Sequence, residues 1–151
     1  MVQMRQGLAA RRAMGAWQSE AEFLVRLGEA YGRIGQAEEG LRLLAEALAV
    51  VDKGDLWYEA EIHRIKGELL LQQAVPDVPQ AESCFQQALA VAHRQQAKSY
   101  ELRAALSLSR LWQQGKRAEA RQLLAEVYGW FTEGFDTPDL QEARALLDEL
   151  A

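Results

Sequence analysis

The stretch that decides the fold runs from residue 21 to residue 49, AEFLVRLGEAYGRIGQAEEGLRLLAEALA. On both sides of Gly35, apolar residues recur three and four positions apart, which is the spacing of one face of an α-helix. Glycine suits the left-handed residue that commonly ends a helix. The stretch therefore predicts two helices joined by a short turn at Gly35.

The second helix of this pair recurs along the chain. The segments QMRQGLA, LLAEALA, CFQQALA and LLAEVYG each place a small or modest residue three positions after a large one. Large and small residues at this spacing share a helix face, and the small residue lets a neighbouring helix approach. The large residues lie 40, 41 and 39 positions apart, at Met4, Leu44, Phe85 and Leu124.

The repeats predict an all-α fold without a sheet. Residues 1–151 are predicted to form a single helical repeat domain, made of a half repeat at 2–15, full repeats at 19–52, 57–95 and 98–131, and a capping helix at 138–150. Within these repeats, helices are expected near 2–15, 19–34, 37–52, 57–73, 78–95, 98–114, 117–131 and 138–150. The half repeat has no upstream partner helix, which fits a fragment of a longer array.

The repeat positions carry a family resemblance. Gly28 and Tyr31 in one helix, followed by Gly40, Leu44 and Ala47 in the next, resemble the tetratricopeptide repeat. The resemblance implies a right-handed superhelix, or α-solenoid, of antiparallel helix pairs. The period near 40 exceeds the roughly 34 residues usual for that repeat, and HEAT-type repeats, which have the longer period, are the alternative.

A narrower resemblance covers residues 55–72 and 81–150. They are similar to the C-terminal repeat region of large bacterial signalling proteins, in which tetratricopeptide-like arrays follow an ATPase module and often a class III nucleotide cyclase domain. The resemblance implies a bacterial, cytoplasmic protein. The sequence contains no G-x-x-x-x-G-K-[ST] phosphate loop that would carry over the ATPase chemistry.

Composition narrows the class of function. The net charge is −5 with a pI near 5.1, and an acidic domain is a poor general phosphate binder, which argues against nucleic acid. A single cysteine, Cys84, precludes an internal disulfide and fits a reducing cytoplasm. No apolar run approaches the roughly 20 residues of a membrane span, so no membrane partner is expected.

No residue pattern predicts an enzyme, a cofactor or a metal site. His63 and His93 lie in different repeats, without the ligand spacing of a zinc site. Cys84 precedes Phe85 on an apolar stripe and is predicted to be a buried structural thiol. Pairs of acids such as Glu59 and Glu61 stand at helix starts, where they favour the positive end of the helix dipole.

A binding surface is expected on the concave side of the stack, which the first helix of each repeat lines. On each of these helices, the stripe beside the packing stripe is predicted to face this groove. It is acidic at one end and apolar at the other, where Trp112 is either a binding anchor or a residue packed under the C-terminal helix. The predicted stripe consists of Glu22, Val25, Glu29, Arg33, Glu61, Arg64, Glu68, Gln72, Leu102, Ala105, Ser109, Trp112 and Gln113.

The charge of this groove suggests its partner. Chaperone-binding tetratricopeptide domains grip a C-terminal carboxylate with lysine, arginine and asparagine, but the matching positions here hold Val25, Glu29, Ile65, Leu102 and Leu106. A basic or apolar protein or peptide fits better. The predicted function is therefore a non-catalytic protein-interaction scaffold, and the alternative is a structural or regulatory spacer of a larger cyclase- or ATPase-type signalling protein. The apolar face of the first helix also predicts a homodimer.

The stretch WFTEGFDTPDL, residues 130–140, is predicted to turn the chain into the capping helix. Gly134 is expected to break the preceding helix, and the Thr137 hydroxyl to cap the next one. The aromatics Trp130, Phe131 and Phe135 are predicted to plug this turn, with Phe135 buried.

Overall fold

The structure is a computed structural model that describes residues 20–51 and 58–151. Over these residues the chain forms seven α-helices and no strand, which confirms the prediction of an all-α fold. The helices are α1 (Glu20–Arg33), α2 (Ala37–Val51), α3 (Glu59–Gln72), α4 (Val78–Arg94), α5 (Lys98–Trp112), α6 (Arg117–Gly129) and α7 (Pro138–Leu150).

Where the predicted helix boundaries fall within the described residues, they agree closely with these seven helices. The largest differences are about two residues, as where the predicted helix 98–114 ends at Trp112 and the predicted helix 117–131 ends at Gly129. The first predicted helix, 2–15, lies outside the described residues. The half repeat and the dimer contact predicted on that helix therefore stay predictions.

The described helices belong to two compact units, which divide within α4 between Cys84 and Phe85. In the first unit, α1, α2 and α3 pack against one another around a core that includes Leu27 and Leu43. In the second, α5, α6 and α7 pack against one another around a core that includes Leu124. The single repeat domain and the superhelix stay predictions.

Equivalent positions of the predicted repeat have equivalent burial. The large residues of α2, α4 and α6, which are Leu44, Phe85 and Leu124, are all fully buried. Ala47 and Ala88, the small residues three positions later, are fully buried as well. Positions about 40 residues apart are thus buried in the same way, although they lie in different helices.

The small residues bring α1 and α2 together. A Cβ atom on Gly40 would lie 2.7 Å from the carbonyl oxygen of Gly28, and a Cβ atom on Gly28 would lie 3.2 Å from that of Gly40. Leu44 Cδ2 lies 3.3 Å from the same position on Gly28. Gly28 and Gly40 thus let the backbones of α1 and α2 approach closely at this crossing.

The turns between paired helices differ from one another. Gly35 has a φ of +81°, as predicted for a residue that ends a helix, but Gly115 does not adopt the left-handed conformation. After α5, the N–H groups of Gly115 and Lys116 both donate to the Trp112 carbonyl. Between α4 and α5, the left-handed residue is Gln96, with a φ of +55°.

The loop from α3 to α4 carries a cap that the sequence pattern does not predict. Pro79 lies in the first turn of α4, where a missing N–H is tolerated. The carboxylate of Asp77 accepts a hydrogen bond of 3.2 Å from the Gln80 N–H, and the Asp77 N–H donates to the Leu70 carbonyl in α3. Asp77 thereby satisfies backbone groups at both helix ends.

The last helix is amphipathic, as predicted for a capping helix. Its apolar stripe is buried in the second core and consists of Leu140, Ala143, Leu146 and Leu150. Polar side chains attach its outer face to α5: Arg103 donates to Asp139 at 2.9 Å, Gln113 donates to Glu149 at 3.0 Å, and Arg110 pairs with Glu142. Apolar burial and these polar links together hold α7 on α5.

Candidate partner-binding surface

On α1, the predicted stripe is charged and largely self-paired. Glu22 pairs with Arg26 at 2.6 Å, and Glu29 pairs with Arg33 at 2.9 Å. These i,i+4 pairs are exposed or partly exposed and contribute only a few tenths of a kcal/mol each. Val25, predicted to lie on the same stripe, is instead buried in the first core. The stripe on α1 is therefore polar and reaches solvent without Val25.

On α3, the predicted stripe lies deeper. Glu61 is buried and accepts two hydrogen bonds from Arg64, at 2.8 and 2.9 Å, in a bidentate pair. Glu68 is half-buried, and Gln72 at the end of the helix is exposed. The Glu61 carboxylate, which was predicted to face a partner, is thus paired with Arg64 of the same helix.

On α5, the predicted stripe is mostly internal. Leu102, Ala105 and Ser109 are buried, and the Ser109 hydroxyl donates to the Ala120 carbonyl of α6 at 3.3 Å. The prediction that Val25, Leu102, Ala105 and Ser109 line an open groove is wrong for their side chains. For the three residues of α5, the physical reason is that this helix is buried around most of its circumference, so the stripe beside its packing stripe also packs. Val25, on α1, packs into the first core.

Trp112 packs against the second core. Its side chain is half-buried against a cluster that includes α7 residues such as Leu146. The Lys116 ammonium lies 5.2 Å from the centroid of its ring. Gln113, beside it, is engaged with Glu149 of α7. Gln113 therefore links the end of α5 to α7, while Trp112 packs against the core to which α7 contributes.

The aromatic loop after α6 differs from its prediction. Phe131 is half-buried against the second core, but the side chains of Trp130 and Phe135 are 56% and 44% exposed. The predicted plug is wrong for these two residues because the loop follows the surface. Among the aromatic residues that the structure describes, Phe135 meets only the Tyr128 ring, at 5.7 Å between centroids.

The cap of α7 also differs from its prediction. Gly134, rather than ending α6, is the left-handed residue within the loop, with a φ of +78°. The Thr137 hydroxyl donates to the Gly134 carbonyl at 2.7 Å and makes no cap hydrogen bond to α7. Pro138 is in the first turn of α7, as predicted.

The exposed Trp130 belongs to an open pocket of about 540 Å³ in the second unit. The rings of Trp130 and Phe131 meet edge to face, with centroids 5.1 Å apart and planes at 86°. The Lys98 ammonium lies 5.4 Å from the centroid of the Trp130 ring. We call this the aromatic pocket, and its lining residues are His93, Gln96, Lys98, Ser99, Trp130 and Phe131.

The Glu101 carboxylate contacts two residues that line the aromatic pocket, Lys98 and His93. Glu101 accepts a hydrogen bond from the Lys98 ammonium at 3.0 Å, and its other oxygen lies 3.5 Å from Nδ1 of His93. The Glu101 side chain is only 11% exposed, whereas the His93 side chain is largely exposed. Glu101 therefore orients the two groups that a ligand would touch without lining the pocket itself.

A second, smaller pocket lies in the first unit, between the α1–α2 turn and the α3–α4 loop. Its volume is about 300 Å³, and its rim includes Glu38, Glu39 and the predicted site residue Gln72. Ile34 and Val75, which are neighbours of rim residues in sequence, have exposed side chains. Acids and exposed aliphatic groups thus occur together at this edge of the unit.

The histidine and cysteine of the first unit lie in its interior. Burial lowers the pKa of His63; Glu59 opposes this shift and Lys66 reinforces it. Burial raises the pKa of the Cys84 thiol, an effect that Lys66 opposes and Asp77 reinforces. The prediction that Cys84 is a buried thiol is confirmed. In the described part of the chain, no three His, Cys, Asp or Glu side chains cluster to hold a metal ion.

His63 is expected to make the protein less stable in mild acid. The unfolded chain protonates this group near pH 6.5, while the fold keeps it neutral to a lower pH. Below about pH 6.5 the unfolded state therefore binds more protons. The stability contributed by neutral His63 is complete above that pH and is lost as the pH falls through the lowered folded pKa.

The measurement is urea denaturation between pH 7.5 and pH 5. The loss of unfolding free energy in acid should be smaller in His63→Gln than in the wild type. In the matched variant His93→Gln, which changes an exposed histidine, the loss due to His63 should persist. An identical acid loss in His63→Gln and the wild type would contradict the assignment.

Comparisons with known proteins add no support to the resemblance to tetratricopeptide repeats. No protein-family model matches the chain, and no curated protein matches it either. Of the helices in the described residues, none is long and apolar enough to cross a membrane.

Proposed function

We propose that this chain is a non-catalytic scaffold of tetratricopeptide type that binds a protein or peptide partner. The observation that carries the proposal is the matched burial of the repeat positions, where Leu44, Phe85 and Leu124 are all fully buried. Three helices that bury the same repeat position support a stack of similar helix pairs. Such stacks create extended surfaces suited to binding other chains.

The part of the predicted stripe that is exposed or half-buried is the proposed contact surface. It retains Glu22, Glu29 and Arg33 on α1, and Glu68 and Gln72 on α3. A basic segment of a partner would compete with Arg26 and Arg33 for the carboxylates of α1. Because these exposed pairs are weak, the competition costs little.

A structural or regulatory spacer within a larger cyclase- or ATPase-type signalling protein is the second candidate. The observation that favours it is the self-pairing of the stripe: Glu29 binds Arg33, and buried Glu61 binds Arg64. A surface whose charges are satisfied internally offers fewer contacts to a ligand. A spacer transmits its effect through helix packing and needs no bound partner.

Site-specific photo-cross-linking in cells of the source organism separates these two functions. A photoreactive residue at position 29 or 68 lies on the proposed contact surface, while one at position 126 lies on the exposed side of α6. A scaffold should give the same discrete adduct from positions 29 and 68 and none from position 126. Adducts absent from both stripe positions, or equal at all three, would favour the spacer.

A further inference from the structure

We infer that the aromatic pocket of the second unit binds an acidic peptide segment that carries an aromatic or large aliphatic side chain. The inference rests on the proposed scaffold function and names the chemistry of one contact. The pocket lies in the second unit, where the α4–α5 turn meets the α6–α7 loop. The stripe for which a basic or apolar partner is expected on α1 and α3 belongs to the first unit.

The apolar part of the ligand is argued from the two aromatic rings. Phe131 is half-buried against the core, and its edge-to-face contact orients the Trp130 indole, which is 56% exposed. A large aromatic surface that is held in place yet open to solvent is suited to accept an apolar side chain. Tryptophan is also among the residues enriched where interfaces gain most of their binding energy.

The acidic part is argued from the rim. The polar residues that line the pocket all carry N–H or O–H donors, and none of the described lining residues has a carboxylate. These polar residues are His93, Gln96, Lys98 and Ser99. Lys98 and Ser99 also open helix α5, whose positive dipole end adds to the attraction of an anion. This rim contrasts with the net charge of −5 on the whole chain.

The position of Lys98 decides between an acidic and a basic ligand. Its ammonium already stands over the face of Trp130, so a cation entering the pocket would meet a like charge at the best site on the indole. An ammonium has three N–H donors, and Glu101 takes one of them at 3.0 Å. A ligand carboxylate can share the same ammonium while its apolar neighbour contacts the rings.

Peptide titration followed by ¹⁵N NMR of the whole chain tests this inference. Three acetylated octapeptides serve as probes: one with a phenylalanine flanked by aspartates, one with lysines replacing the aspartates, and one with alanine replacing the phenylalanine. The Trp130 indole N–H signal, assigned through Trp130→Phe, is the readout. The first peptide should shift it, at an affinity about tenfold higher than the other two.

Variants tie the shift to the named residues. Isothermal titration calorimetry, which does not depend on the indole signal, measures the affinity of the variants. Trp130→Ala and Lys98→Gln should each weaken binding of the aspartate–phenylalanine peptide at least about fivefold, while Lys98→Arg, which keeps the cation, should retain it. Phe135→Ala changes an exposed aromatic of the same loop that does not line the pocket, and it should bind as the wild type does. Far-UV circular dichroism confirms that each variant is folded.

Three outcomes would overturn the inference. They are equal or tighter binding of the lysine peptide, equal loss of affinity in Phe135→Ala, and a wild-type indole signal that does not move at millimolar peptide. None of them bears on adducts formed from positions 29 and 68, so the scaffold function can stand when this pocket assignment fails.

Discussion

Replacement of Phe85 by alanine is expected to lower the free energy of unfolding by about 3–5 kcal/mol. Phe85 is the large residue of its repeat, and its side chain is completely buried. Its removal would take apolar area out of the core and leave a cavity, and both effects destabilise the native state. Chemical denaturation with linear extrapolation measures the change.

Phe135→Ala is the matched control, because it deletes the same side chain from a surface loop. Phe135 is 44% exposed and contacts the Tyr128 ring at 5.7 Å, so its loss should cost about 1 kcal/mol or less. Comparable losses in the two variants would contradict the burial described for this repeat position. The same pair also tests whether Phe135 is buried as a plug of the loop after α6. If it were, Phe135→Ala would show the large loss of unfolding free energy.

Replacement of Gly40 by alanine is the second change with a large expected effect, a net loss of about 1–3 kcal/mol. The new Cβ would lie 2.7 Å from the carbonyl oxygen of Gly28 and 2.9 Å from Cδ1 of Leu69. The leucine can rotate away, but the carbonyl belongs to the backbone of α1, so the two helices must separate. Alanine's better helix propensity, worth up to about 1 kcal/mol, offsets part of this loss.

Gly129→Ala provides the control for helix propensity. Gly129 is the last residue of α6, and a Cβ atom there would meet no heavy atom within 4 Å. The substitution should leave the stability unchanged or raise it by up to about 1 kcal/mol. Thermal and chemical denaturation of both variants give the comparison. If Gly40→Ala proved as stable as Gly129→Ala, the α1–α2 crossing would be looser than described.

The helices were predictable because their apolar residues follow the helical period over long segments. The stripe that packs between α1 and α2 was also predictable, since Gly28, Gly40 and Leu44 differ strongly in size. Small residues at regular spacing indicate a close crossing whatever lies around them. This is the part of the fold that depends on neighbours only about 12 residues apart in the chain.

The burial of α5 was less predictable. Its second stripe consists largely of small or weakly polar residues, such as Ala105 and Ser109, which occur at surfaces and in tight interfaces alike. Periodicity identifies a stripe but does not say whether a second helix covers it. For this reason the predicted groove contained side chains that the structure places inside.

The aromatic pocket could not be found from sequence spacing. Lys98 and Trp130 belong to different helix connections, and no repeat relates them. Loops also lack a period, so burial within residues 130–137 could not be inferred from the pattern there. Three aromatics close together suggested a plug, while only Phe131 contacts the core.

The glycine crossing of α1 and α2 limits how far the repeats can be exchanged. The positions equivalent to Gly40 in α4 and α6 are occupied by Ala81 and Ala120, which are fully buried with their methyl groups in place. The residue at this position therefore differs between the helices. At Gly40, α2 has no room for a Cβ atom unless the helix moves. Repeats that look alike in sequence are therefore not interchangeable. A later helix pair substituted for α1 and α2 would supply two helices but not the close spacing that Gly40 allows.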